Sequence, residues 1–236
     1  MITKFPHIDH VNGWLSPQAL SFTSYYTHTF LSGAGFDSLE IGVHRGKYFI
    51  ALENLTPRDN AAVAIDLFDM QEKNIDNSGK GDLAIFEAHV KEFCSNPDRV
   101  RAISADSLDL SAAELGANAY GLISVDGGHT AEHTIADLEK ADVLMSTDGL
   151  VILDDILNQD WTGVVTGAVH FFSAPRGRRL APFALGFNKL FCCHFSKVGL
   201  VKEQLEADQE TLAKLNISLR KTTEFAGYPV FSLRGA

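Results

Sequence analysis

The sequence predicts a doubly wound α/β protein with a mostly parallel sheet and an N-terminal helical lead-in. Short β-branched runs alternate with stretches of helical period, and each run ends in a polar or glycine turn, the pattern of βαβ units. No internal repeat, low-complexity tract or Pro-, Gly- or Ser-rich linker divides the chain, so its 236 residues read as one domain. Residues 1–33 form the lead-in, 34–156 the core that binds a cofactor, and 157–236 a substrate-side part.

Each element has a local reason. Ser16 as N-cap and Pro17 as first helical residue predict a helix to about Leu31. Phe36 to Ile41 is the first strand, followed by a glycine turn and a helix from about Gly46. The second strand, from Ala61 to Ile65, ends at Asp66. A helix near Asp82 to Cys94 leads to a third strand, Val100 to Ser104, and a short helix from Ser111. Tyr120 to Val125 is the fourth strand. In the helix from Thr130 to about Met145, Ile135, Leu138 and Leu144 recur at helical spacing, and Gly149 then opens the fifth strand, Leu150 to Leu153. Beyond it the sequence predicts a helix from Asp160 to Phe172, a loop with Pro175 and Pro182 and a strand near Lys189 to Phe195. A helix from Lys202 to Leu215 and a last strand from Val230 to Leu233 complete the chain.

Composition narrows the function. A formal net charge of −10 argues against a nucleic-acid surface, which needs a Lys/Arg excess, and favours a small-molecule partner. No apolar run approaches the ~18 to 20 residues of a membrane span, and the N-terminal stretch lacks a secretory signal's apolar core. The expectation is a soluble cytoplasmic protein without a membrane partner; a homo-oligomer stays open. Cys94, Cys192 and Cys193 show neither zinc spacing nor an even disulfide set, which fits core thiols in a reducing compartment. Arg176, Arg178 and Arg179 form a basic cluster, read either as a solvated loop or as a hold for an anionic substrate group.

Ligands of open parallel sheets lie outside the carboxyl ends of the strands, so residues just after each strand are the candidates. Glu40, Gly42 and Gly46 give E-x-G-x-x-x-G after strand one, where glycines admit close approach of a ligand. This is not the pyrophosphate fingerprint of NAD or FAD sites. Asp66 ends strand two about twenty residues further on, where a carboxylate can accept both hydroxyls of a ribose. Asp106 and Ser107 follow strand three, placed to meet an adenine amino group or simply part of a polar loop.

The segment from Ser124 to His129 reads SVDGGH, and LVILDD runs from Leu150 to Asp155. Neighbouring strands lie about 4.8 Å apart, so Asp126 and Asp154 can converge, with Asp155 next to them. Crowded carboxylates repel, and Mg²⁺ is a natural compensation. The alternative is that Asp126 alone faces the cleft and the other two cap the next helix. His129 is either a base near neutral pH or a turn residue.

Glu40, Gly42, Gly46, Asp66, Asp106, Ser107, V-D-G-G-H and L-D-D, in this order and spacing, resemble the class I S-adenosylmethionine-dependent methyltransferases. The chain is more closely similar to the macrocin O-methyltransferase-like branch, which modifies sugars in natural products. The likeness covers about Gly13 to Ile156. It implies a seven-stranded Rossmann-like sheet with a final antiparallel strand, a place suited to the segment containing Phe231. It implies S-adenosylmethionine as cofactor, held by Glu40, Gly42, Gly46, Asp66, Asp106, Ser107 and Asp126. It also implies Mg²⁺ on Asp126, Asp154 and Asp155, with Asp126 or His129 as catalytic base and a hydroxylated small molecule as acceptor.

A metal-free N- or O-methyltransferase and an NAD-type nucleotide-binding protein remain as alternatives. The segment from Asn74 to Asp82 is longer and more polar than a minimal connection and reads as a cofactor or substrate loop. In the C-terminal third only Asn188 and Lys189 stand out as pocket candidates. Trp14, Tyr25, Tyr26 and Phe30 line a pocket or belong to the core.

Overall fold

The computed structural model describes residue 5 and residues 7–116, 119–174 and 177–235. Helix α1 (Pro17–Phe30) leads into the alternation β1 (Asp37–Ile41), α2 (Lys47–Leu55), β2 (Ala62–Asp66), α3 (Leu83–Phe93) and β3 (Val100–Ser104). It continues through α4 (Ala112–Leu115), β4 (Tyr120–Val125), α5 (Ala131–Leu144), β5 (Met145–Leu153) and α6 (Thr162–Ser173). The chain then forms β6 (Leu180–Gly186), β7 (Lys189–His194), α7 (Val198–Ala207), α8 (Gln209–Lys214), β8 (Ser218–Phe225) and β9 (Tyr228–Arg234).

Local chemistry sets the helix starts. The Ser16 hydroxyl accepts from the Ala19 N–H at 3.4 Å with Pro17 at the first position, and Asp82 and Thr130 cap α3 and α5 in the same way. Two apolar layers sandwich the sheet. One joins α5 and α6 to Ile123, Val151 and Leu153; the other joins Phe22 and Tyr26 of α1 to Leu150, Phe183 and Phe191. Tyr25 and Tyr26 are therefore core residues, and Phe30 packs on Tyr26 at 4.6 Å.

The strand order is β3-β2-β1-β4-β5-β7-β6-β9-β8. Strands β1 to β5 are mutually parallel, and the order reverses between β1 and β4, the switch point at which doubly wound sheets bind ligands. The doubly wound expectation holds, with nine strands among the described residues where the resemblance implied seven. The added pair is the C-terminal hairpin β8–β9, which joins through β6. The antiparallel strand next to β5 is β7, whereas Phe231 lies in β9.

Two further expectations are corrected. Pro182 lies not in a loop but in β6, at a register shift that removes the need for its missing N–H. The helix expected from Lys202 to Leu215 is two helices that meet at Asp208, whose carboxylate accepts from the Tyr25 hydroxyl at 2.8 Å. Pro175 and Arg176 lie outside the described residues. No helix among those described is long and apolar enough to cross a membrane.

Between β6 and β7 the chain turns through Phe187 and Asn188, both with positive φ (58° and 62°), as a two-residue type I′ hairpin requires. Leu153 pairs with Leu190 across the antiparallel ladder. This hairpin tip therefore stands at the carboxyl end of β5, carrying Asn188 and Lys189 beside Asp154 and Asp155.

Candidate active site

A cleft of about 680 Å³ opens at the carboxyl ends of the parallel strands, within the range of small-molecule and cofactor sites. Backbone bonds continue past the strands and align their ends. Gly42 N–H donates to Ile65 at 2.8 Å, Asp126 N–H to Ile41 at 2.8 Å and Asp154 N–H to Val125 at 2.9 Å.

The cofactor half is built on β1, β2 and β3. Gly42 has φ +84°, and a Cβ there would collide with the Asp126 carbonyl, so only glycine lets the β1 turn lie against the β4 turn. Asp66 accepts from the His44 N–H at 2.8 Å and the Phe68 N–H at 2.6 Å. Each oxygen keeps acceptor capacity for a hydroxyl. Burial raises the Asp66 pKa above its usual value against these two bonds. Asp106 lines the cleft 3.3 Å from His133 Nε2, while the Ser107 hydroxyl donates to buried Asp137 at 3.1 Å. Trp14, 80% exposed, stands at the mouth with its ring 5.5 Å from that of His44.

Two of the expected cofactor residues stand behind the cleft wall. Gly46 (φ +93°) starts α2, and a Cβ there would press on Phe86 at 3.0 Å. Glu40 is 1% exposed; its Oε1 accepts from Ser124 at 3.0 Å and its Oε2 has no partner. Burial pushes its carboxyl up to about 8, although the Ser124 hydrogen bond and the Lys189 charge oppose the rise.

The reacting half gathers at β4, β5 and the β6–β7 hairpin. Asp126, whose side chain is 32% exposed, has Oδ1 3.9 Å from His129 Nε2; Asp155 Oδ2 is 3.2 Å from the same nitrogen. Burial and the nearby Asp154 charge raise the Asp126 pKa, while Lys189 pulls it down. Asp155 (φ +56°) is held by the Asn188 and Asn158 amides at 2.6 Å and 3.0 Å. Burial would raise its pKa, yet the bonds from His129, Asn158 and Asn188 bring it below the usual value. For His129, burial alone lowers the pKa, but hydrogen bonds to Asp155 and Asp76 outweigh it and leave the ring above the ordinary histidine value. Trp161 stacks on His129 at 4.4 Å.

Asp154 is differently employed. Its Oδ2 pairs with Lys189 Nζ and its Oδ1 accepts from the Asp155 N–H at 2.8 Å. Among the described residues, the donor atoms of Asp126, His129 and Asp155 lie within 4.8 Å of one another and could hold a metal ion. The structure thus brings Asp126 and Asp155 together with His129, and gives Asp154 a protein cation. Asp76, His133, Asn158 and Trp161 were missed as individual site residues; only the polar segment from Asn74 to Asp82 hinted at the first. Arg178 pairs with Glu139 at 3.4 Å and Arg179 donates to the Met145 carbonyl at 3.0 Å. Because Met145 begins β5, the described part of the basic cluster lies at the opposite end of the sheet and holds no substrate in this cleft.

A family described as a methyltransferase domain matches residues 39–156, half of the chain, spanning the glycine turn to the β5 acids. The chain belongs to this family and is a class I S-adenosylmethionine-dependent methyltransferase, which sets aside the NAD-type alternative.

Among solved structures it is similar to the O-methyltransferase NovP, with 13% identity and a TM-score of 0.58 over 75% of this chain and 79% of that one. It is also similar to the S-adenosylhomocysteine-bound methyltransferase PaMTH1 of Podospora anserina (17% identity, TM-score 0.52, 81% and 82% covered). A third is CalS11, a TDP-rhamnose 3′-O-methyltransferase of calicheamicin biosynthesis (18% identity, TM-score 0.51, 75% and 78% covered). At such identities the likeness is one of fold. No match was found among the curated proteins.

Proposed function

We propose that this enzyme transfers the methyl group of S-adenosylmethionine to a hydroxyl of a small molecule that carries no phosphate, such as a sugar or another hydroxylated metabolite. The observation that carries the reading is the convergence of His129 Nε2 with Asp126 and Asp155 at the cleft floor. The acceptor oxygen attacks the methyl carbon, the carbon–sulfur bond breaks with its electron pair left on sulfur, and the hydroxyl proton passes to His129. Positioning supplies most of the gain, because the sulfonium methyl is already activated. Gly42 and Asp66 bind the cofactor in this reading, with Asp106 and Ser107 at its adenine end.

The charge of the cleft supports a phosphate-free acceptor. Asp66, Asp76, Asp106, Asp126, Asp154 and Asp155 line it, and among the described lining residues there is no arginine. Lys73 pairs with Asp109 at 3.0 Å and Lys189 with Asp154, so neither offers an unneutralised ammonium to a phosphate.

The donor set also suits a divalent cation. Asp126 and Asp155 would hold Mg²⁺, and Asp154 would join them on giving up Lys189. Bound there, the ion would lower the pKa of the acceptor hydroxyl. A metal-free enzyme relying on His129 alone is the second reading, favoured by the cation that Lys189 already supplies.

The test is mass-spectrometric detection of methyl transfer to paired phenols, glycosides and their phosphorylated counterparts, with Mg²⁺ or with chelator. Transfer to the unphosphorylated members supports the reading, and transfer only to phosphorylated ones overturns the acceptor class. Unchanged turnover after chelation and in Asp155→Ala would leave the metal-free enzyme.

A further inference from the structure

Helix α5 carries two polar side chains, His133 and Asp137, four positions apart and so on one face, against the loop that follows β3. His133 Nε2 stands 3.3 Å from Asp106 Oδ1, which also accepts from the Leu108 N–H at 3.0 Å. One helical turn on, Asp137 Oδ2 accepts from the Ser107 hydroxyl at 3.1 Å, with Asp137 only 1% exposed. Asp106 and Ser107 line the cleft, and Asp137 stands behind them. The methyl transfer as described makes no use of this buried carboxylate.

The other oxygen of Asp137, Oδ1, faces Lys140 Nζ at 3.3 Å, and the same ammonium donates to the Ala136 carbonyl at 3.3 Å. Burial raises the Asp137 pKa, and the Lys140 charge is the largest influence against that rise. The β4 turn closes over the pair, since a Cβ on Gly127 would stand 3.1 Å from Asp137 Oδ2. An ammonium only donates, a carboxylate only accepts, and a hydroxyl has one hydrogen to give. The direction of the row is therefore set from its buried end. Lys140 donates to Asp137, and Ser107 spends its hydrogen on Asp137. Towards the cleft the Ser107 oxygen has lone pairs alone, and the Asp106 carboxylate beside it also only accepts.

We propose that Asp137 is a positioning residue for base recognition: by taking the hydroxyl hydrogen it makes Ser107 an acceptor, so that the cleft selects a 6-aminopurine over a 6-oxopurine. This rests on the reading that Asp106 and Ser107 stand at the adenine end of the cofactor. An exocyclic amino group offers hydrogens to such acceptors. A 6-oxo group would set its own lone pairs against them and leave the site's polar groups unpaired, the arrangement by which a hydrogen-bonding site rejects an analogue.

The experiment is calorimetric titration with S-adenosylhomocysteine and with S-inosylhomocysteine, which carries the 6-oxo base. Wild type is expected to bind the adenosyl ligand more tightly by roughly 10-fold or more. In Asp137→Asn, Lys140 still requires an acceptor, so the amide oxygen faces it and the amide nitrogen turns to Ser107. The hydroxyl then accepts from the amide and its hydrogen is released to the cleft. S-adenosylhomocysteine should weaken roughly 10-fold while S-inosylhomocysteine binds at least as well as before, with unchanged circular dichroism. Ser107→Ala, which removes the acceptor without touching the buried ion pair, should narrow the preference without reversing it. An unchanged ratio of the two affinities in either variant, or an equal loss for both ligands in Asp137→Asn, overturns the proposal. Equal binding of the two ligands by wild type overturns instead the placing of Ser107 at the adenine end, and with it the purpose assigned to Asp137.

Discussion

The ammonium of Lys189 and the carboxylate of Asp154 form an ion pair beneath the cleft, with Lys189 only 2% exposed. The Asp154 charge and its hydrogen bond keep the lysine charged although its burial opposes it. Lys189→Met removes the ammonium that faces Asp154 and leaves buried charge uncompensated. It should destabilise the protein by about 3 to 5 kcal/mol in urea unfolding. In the double variant with Asp154→Asn the loss should be well below the sum of the singles; strict additivity would show that the two groups are not coupled.

Asp66 is expected to anchor the cofactor. Asp66→Ala should weaken S-adenosylhomocysteine binding by roughly 10- to 100-fold, as for lost hydrogen bonds to a charged group. Calorimetric titration measures this directly. An unchanged affinity would move the ribose site elsewhere in the cleft.

Gly42 and Gly33 separate two meanings of a positive φ. Both lie in the left-handed region, at +84° and +80°, but a Cβ on Gly42 collides with the Asp126 backbone whereas one on Gly33 has nothing within 4 Å. Gly33→Ala should cost about 1 kcal/mol from conformation alone, and Gly42→Ala about 3 kcal/mol or more. Equal losses in denaturant unfolding would show that the β1 and β4 turns can separate freely.

Glu40 predicts a pH dependence. Its folded-state pKa of about 8 lies above the ordinary 4.5, so the native state holds the proton more tightly than the unfolded chain. The corresponding stability is fully present below the ordinary value and is lost as pH rises through about 8, by up to about 5 kcal/mol. Without cofactor, the wild-type Tm should therefore fall between about pH 5 and pH 9 more steeply than that of Glu40→Gln. Parallel curves would mean that Glu40 is ionised in the native state, sharing Lys189 with Asp154.

By itself the sequence determined the alternation of elements from Pro17 to Leu153, because helical period, strand runs and caps are local properties of the chain. β3 and β4 fall where their β-branched runs place them. It also determined which acids stand at the ends of the parallel strands: Asp66 closes β2, Asp126 and Asp154 directly follow β4 and β5, and Asp106 lies two residues past β3. It did not reveal β6, whose run is broken by Pro182, or β8, whose Arg220, Lys221 and Glu224 obscure the strand pattern at the sheet edge. Only the tertiary structure decided what those acids do. The antiparallel return of β7 carries Lys189 to Asp154 and Asn188 to Asp155, and the β2–α3 loop carries Asp76 53 positions along the chain to His129. Such pairings depend on strand order and loop path, which the chain settles through long-range packing and not through any pattern legible within a few residues.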